Sequence, residues 1–417
     1  MKVDTIIINI GQAATMASGG KAKIAGQMND AGIIANAGIA IKDGRILNIG
    51  PSAEMEQKYQ WDEAIDAKGR ILTPGFVDSH THPVFVHTRE DEFAMRIAGK
   101  SYVEISLAGG GIRSSIQSSR DASVEELVEL SLPRIQKMIA LGTTTLEAKS
   151  GYGLSTQSEL KQLKAIAELA KILPIDIIAT FMGAHEYPIE YENDHEGYLK
   201  ILIDEMIPAV KEQGIAEFCD IFTEAHVFSI EESRWVLRAA REHGLKLKMH
   251  ADEIIPIGGA ELAAEMGCIS ADHLGAASDN GIMALKAAGV IPTLLPATLF
   301  SLAAKTYARG RFMIDSGLPV AIATDYNPGS CNCDSMPLTM SLACLQMGLT
   351  PIEALSAATI NAACALDRGD QVGSLEVGKL ADIIFWDIPS LNFIPYHLGS
   401  SHIVKVLKRG RCIFKAQ

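Results

Sequence analysis

Cysteine is scarce in this chain: seven in 417 residues, an odd number scattered without a pattern. That argues against the disulfide framework of a small exported domain, and Cys331-Asn332-Cys333 has no second pair at zinc-finger spacing. Reduced thiols and a cytoplasmic setting are the expectation. Long apolar runs are missing as well. The richest stretch, Val290 to Ala304, is interrupted by Pro292 and Pro296, and it falls short of the ~20 apolar residues that span a bilayer. The start, Met1-Lys2-Val3-Asp4, puts an acid where an export signal needs an apolar core, and Ile6-Ile7-Ile8 is too short for one. Positive charge is in deficit: 37 Lys and Arg against 50 Asp and Glu leave a formal net charge of -13, which repels a phosphate backbone and an anionic leaflet alike. Neither nucleic acid nor a membrane is therefore an expected partner; a small molecule is. Apolar residues are plentiful, at 48% against 21% charged, which fits a globular protein with a large core.

The order of patterns along the chain divides it. Residues 1–70 read as strands, with Asp43-Gly44 between two alternating apolar runs as a two-residue hairpin. The last fifty residues repeat that grammar, in Ala381–Trp386, Val404–Leu407 and Cys412–Phe414. Neither end alone has strands enough for a stable core, so residues 1–70 and 370–417 are expected to form one composite β-sandwich. Between them, over 71–369, short apolar runs alternate with helical patterns. Sequences of the form Ser/Thr-x-x-Glu at Ser123, Thr156, Ser229 and Thr350 predict capped helix starts, so their glutamates are expected to cap rather than catalyse. Eight strands can be counted: 75–78, 143–146, 176–181, 219–223, 245–249, 269–271, 290–295 and 319–324. The fold class is thus α/β, a (β/α)8 TIM barrel plus the β-sandwich, and such barrels carry their active sites at the C-terminal strand ends.

Those ends hold a concentration of chemistry. The first reads Asp78-Ser79-His80-Thr81-His82, and residues i and i+2 of an extended chain point the same way, so both imidazoles can face one ion. The fifth strand ends at His250, the sixth at His273 and the eighth at Asp325, with His185 soon after the third. Neutral imidazoles with a carboxylate suit a transition ion such as Zn2+ or Fe and leave positions open for water and substrate. Glu253, three residues after His250, can serve the same water as proton carrier, whereas neighbouring Asp252 reads as a solvated loop carboxylate.

With these residues the chain resembles the metal-dependent amidohydrolases. The general signature is Pro74-Gly75-Phe76-Val77-Asp78-Ser79-His80-Thr81-His82, the later His250, His273 and Asp325, and the closing stretch from Gly373 to Asp382. More particular are Thr88–Phe93, Glu147-Ala148-Lys149-Ser150-Gly151-Tyr152-Gly153-Leu154, Gly183-Ala184-His185-Glu186, His250-Ala251-Asp252-Glu253 and Thr324-Asp325-Tyr326-Asn327-Pro328-Gly329-Ser330. The resemblance runs nearly end to end. It implies hydrolytic ring opening of 4-imidazolone-5-propanoate to N-formimidoyl-L-glutamate, with His80, His82, His250 and Asp325 holding the metal.

The same resemblance assigns further roles. Arg89 would clamp the propionate, since a guanidinium fork suits a carboxylate, and Tyr102, Tyr152 and His185 would add contacts to that carboxylate or to the ring. His273 would steady the developing oxyanion or the water, while Glu253 and Asp325 pass the proton to the leaving nitrogen. Asn327, Gly329 and Ser330 would read the ring nitrogens, although Gly329 after Pro328 also reads as a simple tight turn. Binuclear members carry a lysine at the end of the fourth strand, where this chain has Phe222-Thr223-Glu224-Ala225-His226, so one Zn2+ or Fe3+ per subunit is expected. A homodimer is implied by the resemblance alone. Two rival readings are a deaminase of an aminated heterocycle, for which Arg89 would have no use, and a non-catalytic scaffold, which would lack the ligands.

Overall fold

The computed structural model describes residues 1–100, 104, 105 and 109–416, and its strands form two eight-stranded sheets. Five strands come first: β1 (Lys2–Ala14), β2 (Ile33–Lys42), β3 (Arg45–Pro51), β4 (Gln60–Asp66) and β5 (Ile71–Pro74). Three more close the chain: β14 (Ile383–Trp386), β15 (Ile403–Lys408) and β16 (Arg411–Lys415). All eight belong to a single mixed sheet that branches at β1, where β2 pairs antiparallel and both β4 and β5 pair parallel. The link between the two ends of the chain is β5 against β14. Asp43 and Gly44 both take positive φ, as a two-residue hairpin loop requires. One buried cluster joins Ile7, Ile39 and Leu72 to Ile383, Phe385 and Leu407, so the N- and C-terminal strands share a core.

The eight barrel strands are β6 (Phe76–Asp78), β7 (Thr143–Lys149), β8 (Asp176–Ala184), β9 (Phe218–Thr223), β10 (Lys246–Ala251), β11 (Ser270–His273), β12 (Ile291–Leu294) and β13 (Ala321–Ile322). Each pairs parallel with the next. The last of them is short, and it meets the first through a looser seam. Asp78 accepts from the backbone N–H and the hydroxyl of Thr324 at 3.0 and 2.7 Å. The amides of Asp325 and His82 donate to the carbonyls of His80 and Tyr326, and Thr81 bridges to Tyr326. Only Gly75 separates β5 of the outer sheet from β6 of the barrel. A Cβ at Gly75 would stand 2.2 Å from Thr144 Oγ1, so only glycine permits this close passage.

Three of the four expected capping boxes form, at Ser123/Glu126, Ser229/Glu232 and Thr350/Glu353. The fourth expectation is corrected. The helix Thr156–Ile172 has Ser155 at its N-cap with no side-chain bond, and Glu159 is fully buried, accepting from the amides of Gly153 and Leu154. Packing turns this carboxylate inward to hold the loop after β7 instead of its own helix end. Among the described residues no helix is long and apolar enough to cross a membrane.

Candidate active site and metal centre

The C-terminal ends of β6, β10, β11 and the segment after β13 bring His80, His82, His250, His273 and Asp325 together. Ligand atoms of His80, His250 and His273 lie within 4.8 Å of one another, and so do those of His80, His82 and Asp325. Asp325 Oδ1 stands 3.6 Å from His80 Nε2 and 3.7 Å from His82 Nε2. Ring centroids of His80 and His250 are 4.4 Å apart, and those of His250 and His273 4.8 Å. Burial, joined by the charge of neighbouring groups, holds His80, His82 and His273 well below the ordinary imidazole value, so they are neutral donors of lone pairs. His80 Nε2 and His273 Nε2 are buried without a hydrogen-bond partner among the described residues. Orphaned lone pairs beside a carboxylate would be costly in isolation, and a cation placed among them satisfies all. The donor set therefore fits a transition metal.

Three of the four ligands are held from behind, whereas His82 Nδ1 has no hydrogen-bond partner among the described residues. His80 Nδ1 donates to Asp272 Oδ2 at 2.6 Å, which fixes its tautomer with Nε2 facing Asp325. Asp220 Oδ2 lies 3.1 Å from His250 Nδ1, and its Oδ1 accepts from the His250 backbone. Thr298 donates to Asp325 Oδ2 at 2.7 Å, leaving Oδ1 for the cluster. Burial raises Asp325 to about 6 and Glu253 to about 8; Asp325 adds to the shift of Glu253. A cation in the cluster would draw both back down. Asp272, Asp220 and Thr298 escaped the sequence reading, although Asp272 immediately precedes His273 within its strand.

The cluster floors a cavity of about 660 Å3, walled by Arg89, Tyr152, His185, Glu253, Asn327 and Ser330 among others. Glu253 Oε2 lies 3.5 Å from His273 Nδ1. His185 stacks on His82 with centroids 5.0 Å apart, and its Nδ1 donates to the Gly151 carbonyl. Burial lowers it to about 3, so its other nitrogen is an acceptor, suited to a ring N–H rather than to a carboxylate. Gln162 accepts from the Gly151 and Tyr152 amides and so fixes the loop that carries Tyr152. Arg89 contributes buried Nε and Nη1 atoms that no described residue hydrogen-bonds. Gly329 packs against that guanidinium so closely that a Cβ would sit 1.7 Å from Nη2.

Two expectations look different in the structure. Asn327 spends both side-chain atoms on its own loop: Oδ1 accepts from the amides of Gly329, Ser330 and Cys331, and Nδ2 donates to Asp325 O and Ser330 Oγ. It shapes the turn after β13. Asp252 is not solvated but 1% exposed, and it accepts from four successive amides, Ile257 to Ala260. The loop after β10 closes around it, with the amides of its turn converging on one carboxylate. Tyr102 lies outside the described residues.

Three comparisons with known proteins agree with this geometry. A family model described as "Amidohydrolase family" matches residues 71–413. Curated relatives named imidazolonepropionase include one from Alkaliphilus oremlandii, 48% identical with 99% of this chain and 98% of that one covered. Another, from Symbiobacterium thermophilum, is 49% identical with 99% and 97% covered. Among solved structures, an adenosine deaminase from Xanthomonas campestris with bound zinc superposes with a TM-score of 0.72 at 17% identity, covering 99% of this chain and 93% of that one. An E. coli guanine deaminase does so with 0.75 at 16% identity, covering 99% of both. The deaminases are similar in fold; the metal-dependent sequence signature, the barrel and the relatives at nearly half identity establish that the chain belongs to the amidohydrolase family.

Proposed function

We propose that this enzyme carries out the reaction of its curated relatives, opening the ring of 4-imidazolone-5-propanoate with water to give N-formimidoyl-L-glutamate. One observation carries the choice of substrate: on the wall of the cavity that holds the histidines, Arg89 has Glu92 as an ion-pair partner 3.5 Å from Nε, while its buried Nη1 has no hydrogen-bond acceptor among the described residues. A buried N–H donor without an acceptor is unfavourable, and a carboxylate on a short arm of the ligand completes the guanidinium fork. A neutral nucleobase would not.

His80, His82, His250 and Asp325 would hold one Zn2+ or Fe3+, which when bound supplies a more acidic water and a polarised ring carbonyl. The protein's own groups do the rest. Arg89 orients the propionate, with Gly329 leaving room for its fork. His185 offers an acceptor to a ring N–H. Glu253, buried and 3.5 Å from His273, takes the proton from the attacking water and returns it to the leaving ring nitrogen. His273 Nε2, unpartnered within the cluster, faces the reacting carbonyl. The proton Glu253 returns is the one it took from the water. The proposal includes a homodimer working in the cytoplasm, as the family resemblance implies; light scattering after size exclusion tests the assembly.

The experiment that decides the reading is incubation of purified protein with 4-imidazolone-5-propanoate and identification of the product by mass spectrometry. N-formimidoyl-L-glutamate without ammonia is the expected result. Ammonia release, or an unconsumed substrate with metal loaded, would sink it.

A further inference from the structure

Directly beneath the histidines the barrel interior is charged. Glu147, Lys149, Asp220, Lys248 and Asp272 are all fully buried, at inward positions that barrels usually fill with branched apolar residues. Burying five charges costs heavily unless each is paired, and the pairing has a hub. Lys149 Nζ lies 2.7 Å from Asp220 Oδ2, 2.9 Å from Glu147 Oε2 and 3.8 Å from Asp272 Oδ2. Lys248 serves an overlapping set that lacks Asp220: Glu147 Oε2 at 2.9 Å, the Ser79 carbonyl at 2.7 Å and Asp272 at 3.6 Å.

The two aspartates within ion-pair reach of Lys149, Asp220 in direct contact and Asp272 shared with Lys248, are the ones that stand behind the metal histidines. Asp220 backs His250 and Asp272 backs His80, from neighbouring sides of the barrel. The rings they back are the closest pair in the cluster, 4.4 Å between centroids. We propose that Lys149 is a positioning residue: one ammonium, by holding Asp220 and Asp272 together, sets His250 and His80 at the mutual angle at which both can face a single cation. A lysine suits this because its three donors can diverge toward carboxylates on three strands, β7, β9 and β11, each of which pairs with a strand that leads to a ligand. Without it Asp220 loses its lysine, Asp272 keeps Lys248 at 3.6 Å and the Ser270 hydroxyl at 2.6 Å but loses its tie to Asp220, and the two imidazoles lose the common anchor of their acceptors. The inference rests on the metal-dependent reading above.

Charge and position predict opposite signs, which makes a test possible. Three carboxylates against two ammoniums leave the cluster one negative charge, so deleting Lys149 alone would, by Coulomb attraction, tighten a cation above it. Replacing Lys149→Met together with Glu147→Gln removes one charge of each sign and isolates position. The metal-free parent, this double variant and the control pair Lys248→Met with Glu147→Gln are titrated with Zn2+ against a chromophoric chelator, with circular dichroism confirming the fold. One equivalent bound by the parent, binding weakened by about tenfold or more in the Lys149 pair, and a control close to the parent would support the proposal. A Lys149 pair that binds as tightly as the parent overturns it, as does an equal loss in the control. Failure of the Lys149 pair to fold would overturn it too, making the lysine a folding residue. A parent that binds no Zn2+ would instead remove the metal reading itself.

Discussion

At Gly329 the missing side chain is what lets a guanidinium lie against the loop after the last barrel strand. Its role is spacing, since its backbone is not among those with positive φ, and Gly329→Ala should push Arg89 aside. We expect that variant to raise KM while leaving metal content unchanged, measured by steady-state kinetics and elemental analysis. Arg89→Met should lower kcat/KM by roughly 10- to 150-fold, the worth of about 1.5–3 kcal/mol in charged hydrogen bonds, and Arg89→Lys should recover little because one ammonium cannot reproduce the fork. Glu253→Gln should lower kcat by roughly 10^2–10^4-fold with metal retained; unchanged turnover would remove Glu253 from the mechanism. Glu253 was readable as a candidate because it stands just past a strand end, and Arg89 because a guanidinium fork suits a carboxylate ligand, whereas Gly329 read as a ring contact or a tight turn and not as a spacer. Asn327 was legible as part of the site but not in its task, because a turn-forming amide and a ligand-reading amide look alike until their hydrogen bonds are seen.

The elements themselves were readable from apolar runs and turn residues, and all eight barrel strands were. The charged floor was not. Parallel strands covered on both faces read as apolar runs, and charges inside them are easily taken for strand ends. The available signal was the period of two: Glu147 with Lys149, and Lys248 with His250, share the inward face of their strands. Docking between the two sheets was equally hidden, since it depends on pairs far apart in the chain. Asp176, at the start of β8, binds Lys408 at the end of β15 and Arg409 in the turn that follows, at 2.7 and 2.6 Å. Burial would raise this carboxyl, but the two cations outweigh it and hold it below the ordinary value of 3.8. A depressed folded-state value means the contribution is present above the ordinary carboxylate range and lost as pH falls through the folded value. Asp176→Asn should therefore destabilise by about 1–3 kcal/mol at pH 7. The gap in thermal midpoint between variant and parent should narrow as pH falls below the ordinary carboxylate range, and a gap independent of pH would contradict the ion-pair account.

For the whole molecule the weakest line is the seam where β13, two residues long, meets β6. His80 and His82 stand on one side of it and Asp325 on the other, so a cation bound between them would stitch the barrel shut. Treating the loaded enzyme with a strong chelator should lower its melting temperature, by an amount that corresponds to about 4 kcal/mol when free metal had stood at a thousand times its Kd. An unchanged melting curve would place the ion elsewhere. The single glycine between β5 and β6 has a mechanical consequence as well. With one residue as the whole coupling, the outer sheet and the barrel have no slack in which to drift apart, and a scanning calorimeter should record one peak for both. Clipping β14 from the far end of the chain would then deprive β5 of its neighbour, and through Gly75 loosen the first stave of the cask in which the histidines stand.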